Sequence, residues 1–415
     1  MKKLLTIFLL ILIVTNAYSQ NLTIPIDGVV GQDYIIVNYP DWHLQDGTVL
    51  VQDGFLNDHQ CGTKTYDGHQ GTDFTIRGFT QMDSGVNVLA SADGQITYFI
   101  DSLYDRETAG NVALSLGNYI EIYHASTNTY SYYAHLKKNS VTVQTGDFVI
   151  AGQAIAQVGS SGNSTDPHLH YELWNPGLIT DPTIDPWGIP CDSGSTLWNS
   201  PPVYDTSFAV WECGLVNYDS VENFVPFTWY SLRERLGQKD TFNVNDPFFT
   251  FWCLQYGLKI GDETAVEWYE PNGDLYFTET INYLAQDWWY HYCNSSIPVP
   301  PESKHGLWTV KYYYNNQLQK TKSFPYITPA TKSEIEFRKP YYYRVGERMV
   351  NIILLDRYKY SDMALHSVSG ELILTQKMNN SGSVQFTLPS NCAKGLYFIK
   401  LQGSDHEHTL KVIFD

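Results

Sequence analysis

Apolar and polar residues alternate with a period of two through much of this chain. The runs "NYIEIYHA" (118–125), "TYSYYAHL" (129–136) and "TAVEWYEP" (264–271) show it best. In an extended strand, such alternation sends successive side chains to opposite faces, so each run predicts a half-buried strand. Asp-Gly, Ser-Gly and Asn-Gly pairs punctuate the runs as turns. Helical periodicity is nearly absent, with "YSLRERLG" (230–237) the best prospect for a short helix. The pattern predicts an all-β chain built from antiparallel sheets.

The same pattern divides the chain. Met1-Lys2-Lys3, an apolar run from Leu4 to Val14 and the small residues Ala17 and Ser19 predict a signal peptide over 1–19. That apolar core is too short to cross a bilayer, and no other segment approaches the ~20 apolar residues a spanning helix needs. A first block follows from 20 to 192, then the Ser/Pro-rich bridge "SGSTLWNSPP" over 193–202, read as a linker. The second block, 203–329, carries short strands at regular turn spacing and an Asn272-Gly273 hairpin signal, which predicts a β-sandwich. A third block of hairpin-like runs occupies 338–415.

Composition narrows the partners. A formal net charge of -18 disfavours nucleic acid and anionic membrane. An aromatic content of 15% suits several packed cores in a secreted protein, and a monomer is expected. Export makes disulfides available to the six cysteines. Cys61 with Cys191 is the expected pair, because the two bracket most of the first block. No Cys-x-x-Cys pair offers a structural zinc site.

The chemistry-bearing residues cluster in the first block. In "SSGNSTDPHLHYELW" (160–174), His168 and His170 fall on one face of a predicted strand. Two adjacent imidazoles suit neutral metal ligands, or a ligand beside a catalytic neighbour. Taken alone, a solvated pair on an exposed face is the better explanation of them. Upstream, "TYDGHQGTDFTIRG" (65–78) places His69 and Asp73 four apart with Gly71 between them. In an extended segment these three positions share a face, and the glycine leaves room between two side chains able to bind zinc. His135 ends the aromatic strand "YSYYAHL"; on its own it would read as a core or edge histidine. His406 and His408 repeat the His-x-His spacing without partner motifs and read as solvated polar residues.

Together these motifs, with "VNVLASADGQI", "GNYIEIYH" and "VQTGDFVIAGQAIAQVGSSGNSTDPHLHYEL", resemble the lysostaphin-type (LytM-type, glycyl-glycyl endopeptidase) zinc peptidases from about Gly68 to Trp174. The resemblance implies one zinc ion per chain held by His69, Asp73 and His170. It makes His135 and His168 the catalytic histidines, and leaves open which is the base and which the oxyanion donor. Two departures stand out. Asp166 occupies a position where many relatives have a small residue, and "IDSLYDRETAGNVALSLGN" (100–118) is longer than the usual turn, which predicts a wall of the substrate groove. The third block resembles the sorting domains of the Bacteroidetes type IX secretion system through "MALHSVSGELILTQK", "GLYFIKLQG" and "TLKVIFD", although the usual Pro-Asn-Pro-like opening is missing. The second block matches no named motif; its Trp and Tyr residues suggest core, spacer or substrate platform.

The expected function is a secreted zinc endopeptidase, exported through the periplasm by the type IX machinery to the cell surface or medium. The peptides of peptidoglycan are its expected substrate, and Gly-rich proteins such as elastin or collagen the alternative. Two rival classes are a non-catalytic wall-binding or regulatory relative and an adhesin built on the C-terminal blocks. All five site residues are present, which favours the enzyme.

Overall fold

The computed structural model describes residues 21–42, 54–110, 115–177, 183–188, 196–217 and 231–328. From residue 341 it describes 341–345, 349–354, 361–377, 383–393, 395–403 and 407–414. The expected signal peptide and Cys191 lie outside these residues. The described chain is nearly all β, as its alternation predicts.

The first block contains strands Ile35–Asn38 (β1), Thr72–Thr75 (β2), Asn87–Leu89 (β3), Gly94–Ile100 (β4) and Tyr119–His124 (β5). Thr129–Ala134 (β6), Phe148–Val149 (β7), Ala154–Gln157 (β8), His168–Trp174 (β9) and Thr183–Ile184 (β10) complete it. A six-residue helix, Phe79–Ser84 (α1), follows β2. The main antiparallel sheet runs β1-β2-β9-β6-β5-β4-β7, with β10 also on β9 and β3-β8 as a separate pair.

Strand β9 lies between β2 and β6, and its alternation decides the site. Leu169, Tyr171 and Leu173 point into the core and are fully buried. Each leucine contributes about 1.5–3 kcal/mol by leaving water. Period two then sends His168, His170 and Glu172 to the other face. A register slip of one residue would exchange the two sets, so the core holds the histidines where they are.

The second block is a two-sheet sandwich. Its strands are Ala209–Val216 (β11), Phe242–Asn243 (β12), Phe248–Tyr256 (β13), Glu263–Tyr269 (β14), Leu275–Asn282 (β15), His291–Pro298 (β16), Gly306–Tyr314 (β17) and Gln317–Ile327 (β18). One sheet runs β11-β13-β16 and the other β12-β18-β17-β14-β15. Phe249, Phe251, Trp268, Trp308 and Phe324 fill the space between them, so much of the block's aromatic content is core. Cys213, Cys253 and Cys293 stand in one row across β11, β13 and β16 and are free thiols, so the disulfides open to them on export are not formed here.

The bridge does not hold the first two blocks apart. Ile35 and Val37 of β1 pack with Trp289, and with Trp211, Tyr256 and Tyr290, in a cluster drawn from both blocks. Trp289 Nε1 donates to the Thr63 carbonyl at 3.2 Å, and the Tyr204 hydroxyl donates to Asp58 at 2.6 Å. The third block contains Tyr341–Val345 (β19), Met349–Leu354 (β20), Asp362–Ser367 (β21), Leu372–Lys377 (β22), Ser383–Thr387 (β23), Gly395–Gln402 (β24) and Glu407–Phe414 (β25). Its core cluster draws only on residues from 350 onward.

Candidate metal centre

Strand pairing builds the centre. Asp73 on β2 sits directly opposite His170 on β9, and Ala134 on β6 faces His170 from the other side. His69 arrives differently from its expected extended segment. It lies before β2 in a turn closed by its own N–H to the Tyr66 carbonyl at 3.0 Å, after Gly68 in the left-handed region at φ 77. Gly71 is required by space: a Cβ there would stand 2.8 Å from the His170 ring and 2.5 Å from the Tyr171 carbonyl oxygen.

Three acceptor atoms converge. His170 Nδ1 lies 2.8 Å from Asp73 Oδ1, His69 Nε2 lies 3.2 Å from the same oxygen, and the two nitrogens are 3.2 Å apart. All three side chains are buried. The outward nitrogens are already committed: His69 Nδ1 donates to the Tyr39 carbonyl at 2.8 Å, and His170 Nε2 donates to Glu172 at 2.8 Å. The inward nitrogens therefore converge on one carboxylate oxygen, where positive charge is needed, either a proton on His170 Nδ1 or a metal cation in its place. Asn38 Nδ2 occupies the other Asp73 oxygen at 2.8 Å, and Trp174 Nε1 holds the other Glu172 oxygen at 2.6 Å. Such outer hydrogen bonds fix the tautomer and aim of metal ligands.

The electrostatics agree. Burial opposes charge on His170, but its bonds to Asp73 and Glu172 outweigh that and push it up to about 10. Burial likewise opposes ionisation of Asp73, yet the surrounding histidines hold it well below the usual carboxylate range. Two imidazoles and one carboxylate form a donor set that fits a divalent metal with an open coordination position. Among the described residues, His69, Asp73 and His170 are the group able to hold a metal ion.

His135 and His168 stand beside this group. Their ring centroids are 4.6 Å apart, and His168 Nε2 is 3.6 Å from Asp73 Oδ1. His135 Nδ1 donates to the Ser161 carbonyl at 2.7 Å, and His168 Nδ1 to the Asp166 carbonyl at 2.7 Å. In both, Nε2 is left as the free proton acceptor. Burial, reinforced by His168 and His170, holds His135 well below the ordinary histidine value. Its backbone is left-handed, with φ 60, an uncommon conformation for a residue other than glycine that the surroundings hold in place. All five expected residues thus share one site, while His406 lies outside the described residues.

A cleft of about 890 Å³ opens over the group. Thr108, Ala109 and Gly110 of the long 100–118 segment line one part of it, as expected of a groove wall. Another part comes from the second block, with Arg233, Trp288 and Tyr290 among the lining residues. Sequence reasoning missed these, together with Asn38 and Glu172. For Glu172 a signal existed: it continues the period of His168 and His170.

Residues 67–182 match peptidase family M23, and residues 347–415 match a secretion system C-terminal sorting domain. The peptidoglycan DD-endopeptidase ShyA of Vibrio cholerae is 38% identical over 112 residues, covering 27% of this chain and 21% of that protein. The glycyl-glycine endopeptidase ALE-1 of Staphylococcus capitis is 34% identical over 118 residues, covering 28% of each chain. This chain thus spans about a quarter of the length of these curated relatives. The crystallised catalytic domain of lysostaphin from Staphylococcus simulans is similar at 26% identity, over 36% of this chain and 85% of that one, with a TM-score of 0.24. With His69, Asp73 and His170 converging between strand β2, strand β9 and the loop before them, this chain carries a region that matches peptidase family M23, followed by a region that matches a C-terminal secretion sorting domain.

Proposed function

We propose that this protein is an exported zinc endopeptidase that cuts peptides of peptidoglycan. The observation that carries the reading is the convergence of three inward ligand atoms whose outer partners are already fixed, flanked by two histidines whose Nδ1–H groups are held by backbone carbonyls. His69 Nε2, Asp73 Oδ1 and His170 Nδ1 are the atoms that would hold the metal. Zinc bound there supplies Lewis acidity toward a water and toward the scissile carbonyl.

The remaining chemistry belongs to the chain. Amide hydrolysis needs a proton removed from water, a proton delivered to the leaving nitrogen, and a donor for the tetrahedral oxyanion. His135 and His168 are suited to these tasks, because backbone carbonyls hold both Nδ1–H groups and leave both Nε2 atoms for the cleft. Burial keeps His135 neutral, so its Nε2 stays unprotonated beside the metal-binding group.

The names of the curated relatives support the peptidoglycan substrate, and the sorting domain supports release from the cell. The deciding experiment incubates the zinc-loaded protein with purified sacculi and, separately, with elastin. New amino termini in muropeptides are expected. Cleavage of elastin alone would replace the substrate, and no cleavage of either by a zinc-containing protein would overturn the enzyme reading.

A further inference from the structure

Asp166, the departure noted in sequence, has a partner 67 positions downstream. Arg233 of the second block grips its carboxylate with two parallel bonds, Nη2 to Oδ2 at 2.8 Å and Nε to Oδ1. Side-chain exposures are 17% for Arg233 and 12% for Asp166, so the pair is largely shielded from water. The backbone carbonyl of the same Asp166 receives the Nδ1–H of His168 at 2.7 Å. The next residue, Glu234, binds Arg106 of the long segment at 2.5 Å, two positions before the cleft-lining Thr108. Arg233 and Glu234 thus hold both the loop that leads into His168 and the segment that forms a groove wall.

We propose that Arg233 is a positioning residue for His168, acting through Asp166, and that the second block is thereby part of the active site. The inference rests on the peptidase reading above. Its physical chain is short. A guanidinium fork fixes the plane of a carboxylate in a way a point charge does not. That fixes the Asp166 backbone, whose carbonyl fixes the His168 ring and so aims Nε2 at the cleft. Where a small residue stands at the position of Asp166, no such tie to another block is available. The same docking sets Trp288 and Tyr290 on the cleft, as a wall the first block does not itself supply.

The test is Arg233→Ala in the full-length protein, read three ways. Zinc content should stay at one per chain. With a peptide that the wild type cleaves, kcat should fall about 10- to 100-fold with little change in KM, as expected for a misaimed proton-transfer group. In metal-free protein, the ring nitrogen resonances of His168 should change from one fixed Nδ1–H tautomer to a mixture. Arg233→Lys should restore part of the rate. If Arg233→Ala does not fold because it strands a buried carboxylate, the double variant Asp166→Ala/Arg233→Ala removes both charges and should show the same loss. A folded variant of either kind with wild-type kcat and an unchanged His168 tautomer would overturn the proposal. A wild-type protein without peptidase activity would instead sink the functional reading, leaving the ring measurement to decide the positioning role.

Discussion

His170 Nε2 and Glu172 Oε1 lie 2.8 Å apart, two positions along a single strand. The carboxylate fixes the His170 tautomer and turns Nδ1 toward Asp73. Glu172→Gln should therefore lower metal affinity about 10- to 100-fold without unfolding the chain. Competition against a chelator of known affinity measures it. Wild-type affinity in that variant would reduce Glu172 to a packing role.

Ligand and proton-transfer roles separate by metal content. Asp73→Ala and His170→Ala should lose zinc and activity together. His135→Ala and His168→Ala should keep zinc and lose turnover by on the order of 10²-fold or more. Metal analysis of the four purified variants beside their rates checks this. Zinc loss in His168→Ala with retention in His170→Ala would exchange the two assignments.

Two histidines make stability sensitive to acid. Burial lowers His59 to about 4, with Lys64 adding to the effect and Asp58 opposing it, and burial alone lowers His291 to about 4. Unfolded histidine titrates near ~6.5. As pH falls below that value the unfolded chain takes up protons that the folded chain refuses. The stabilisation is thus present above 6.5 and is lost progressively down to about 4. Urea midpoints should fall across this window, and fall less steeply in His59→Gln or His291→Gln. Identical pH profiles for wild type and both variants would exclude the effect.

The third block should be dispensable for catalysis. Its buried residues pack among themselves, and the site residues all precede it. A chain ending at Pro329 should bind zinc and cleave at near full rate, yet remain in the periplasm of its native cell. Loss of activity with an intact fold would make the block catalytic support. Normal release to the medium would remove its transport role.

The parts of the site readable in sequence are those encoded over short distances. His168 and His170 share a face because a strand has period two, and Gly71 announces close backbone approach in its own motif. Strand pairing across the sheet then brings Asp73 opposite His170, a relation that spacing alone does not contain but the motif order implies. Arg233, Trp288 and Tyr290 were invisible because they reach the cleft through docking of another block. Nothing local distinguishes Arg233 from its neighbour Arg235, which instead bonds the Arg77 carbonyl and Glu212. The left-handed backbone of His135 also has no sequence signature, since it is imposed by the groups packed around that residue.

Strand β1 is the outermost strand of the main sheet at one end, and it is apolar on both sides. Ile36 faces the first block's core, while Ile35 and Val37 are covered by Trp289 and its neighbours in the second block. An uncovered strand of that kind presents unpaired backbone groups and a greasy flank, a template on which another chain can add. Cutting the protein at the bridge would thus do more than reshape a groove. It would create an adhesive rim, so a truncated first block should self-associate unless Ile35 and Val37 are made polar.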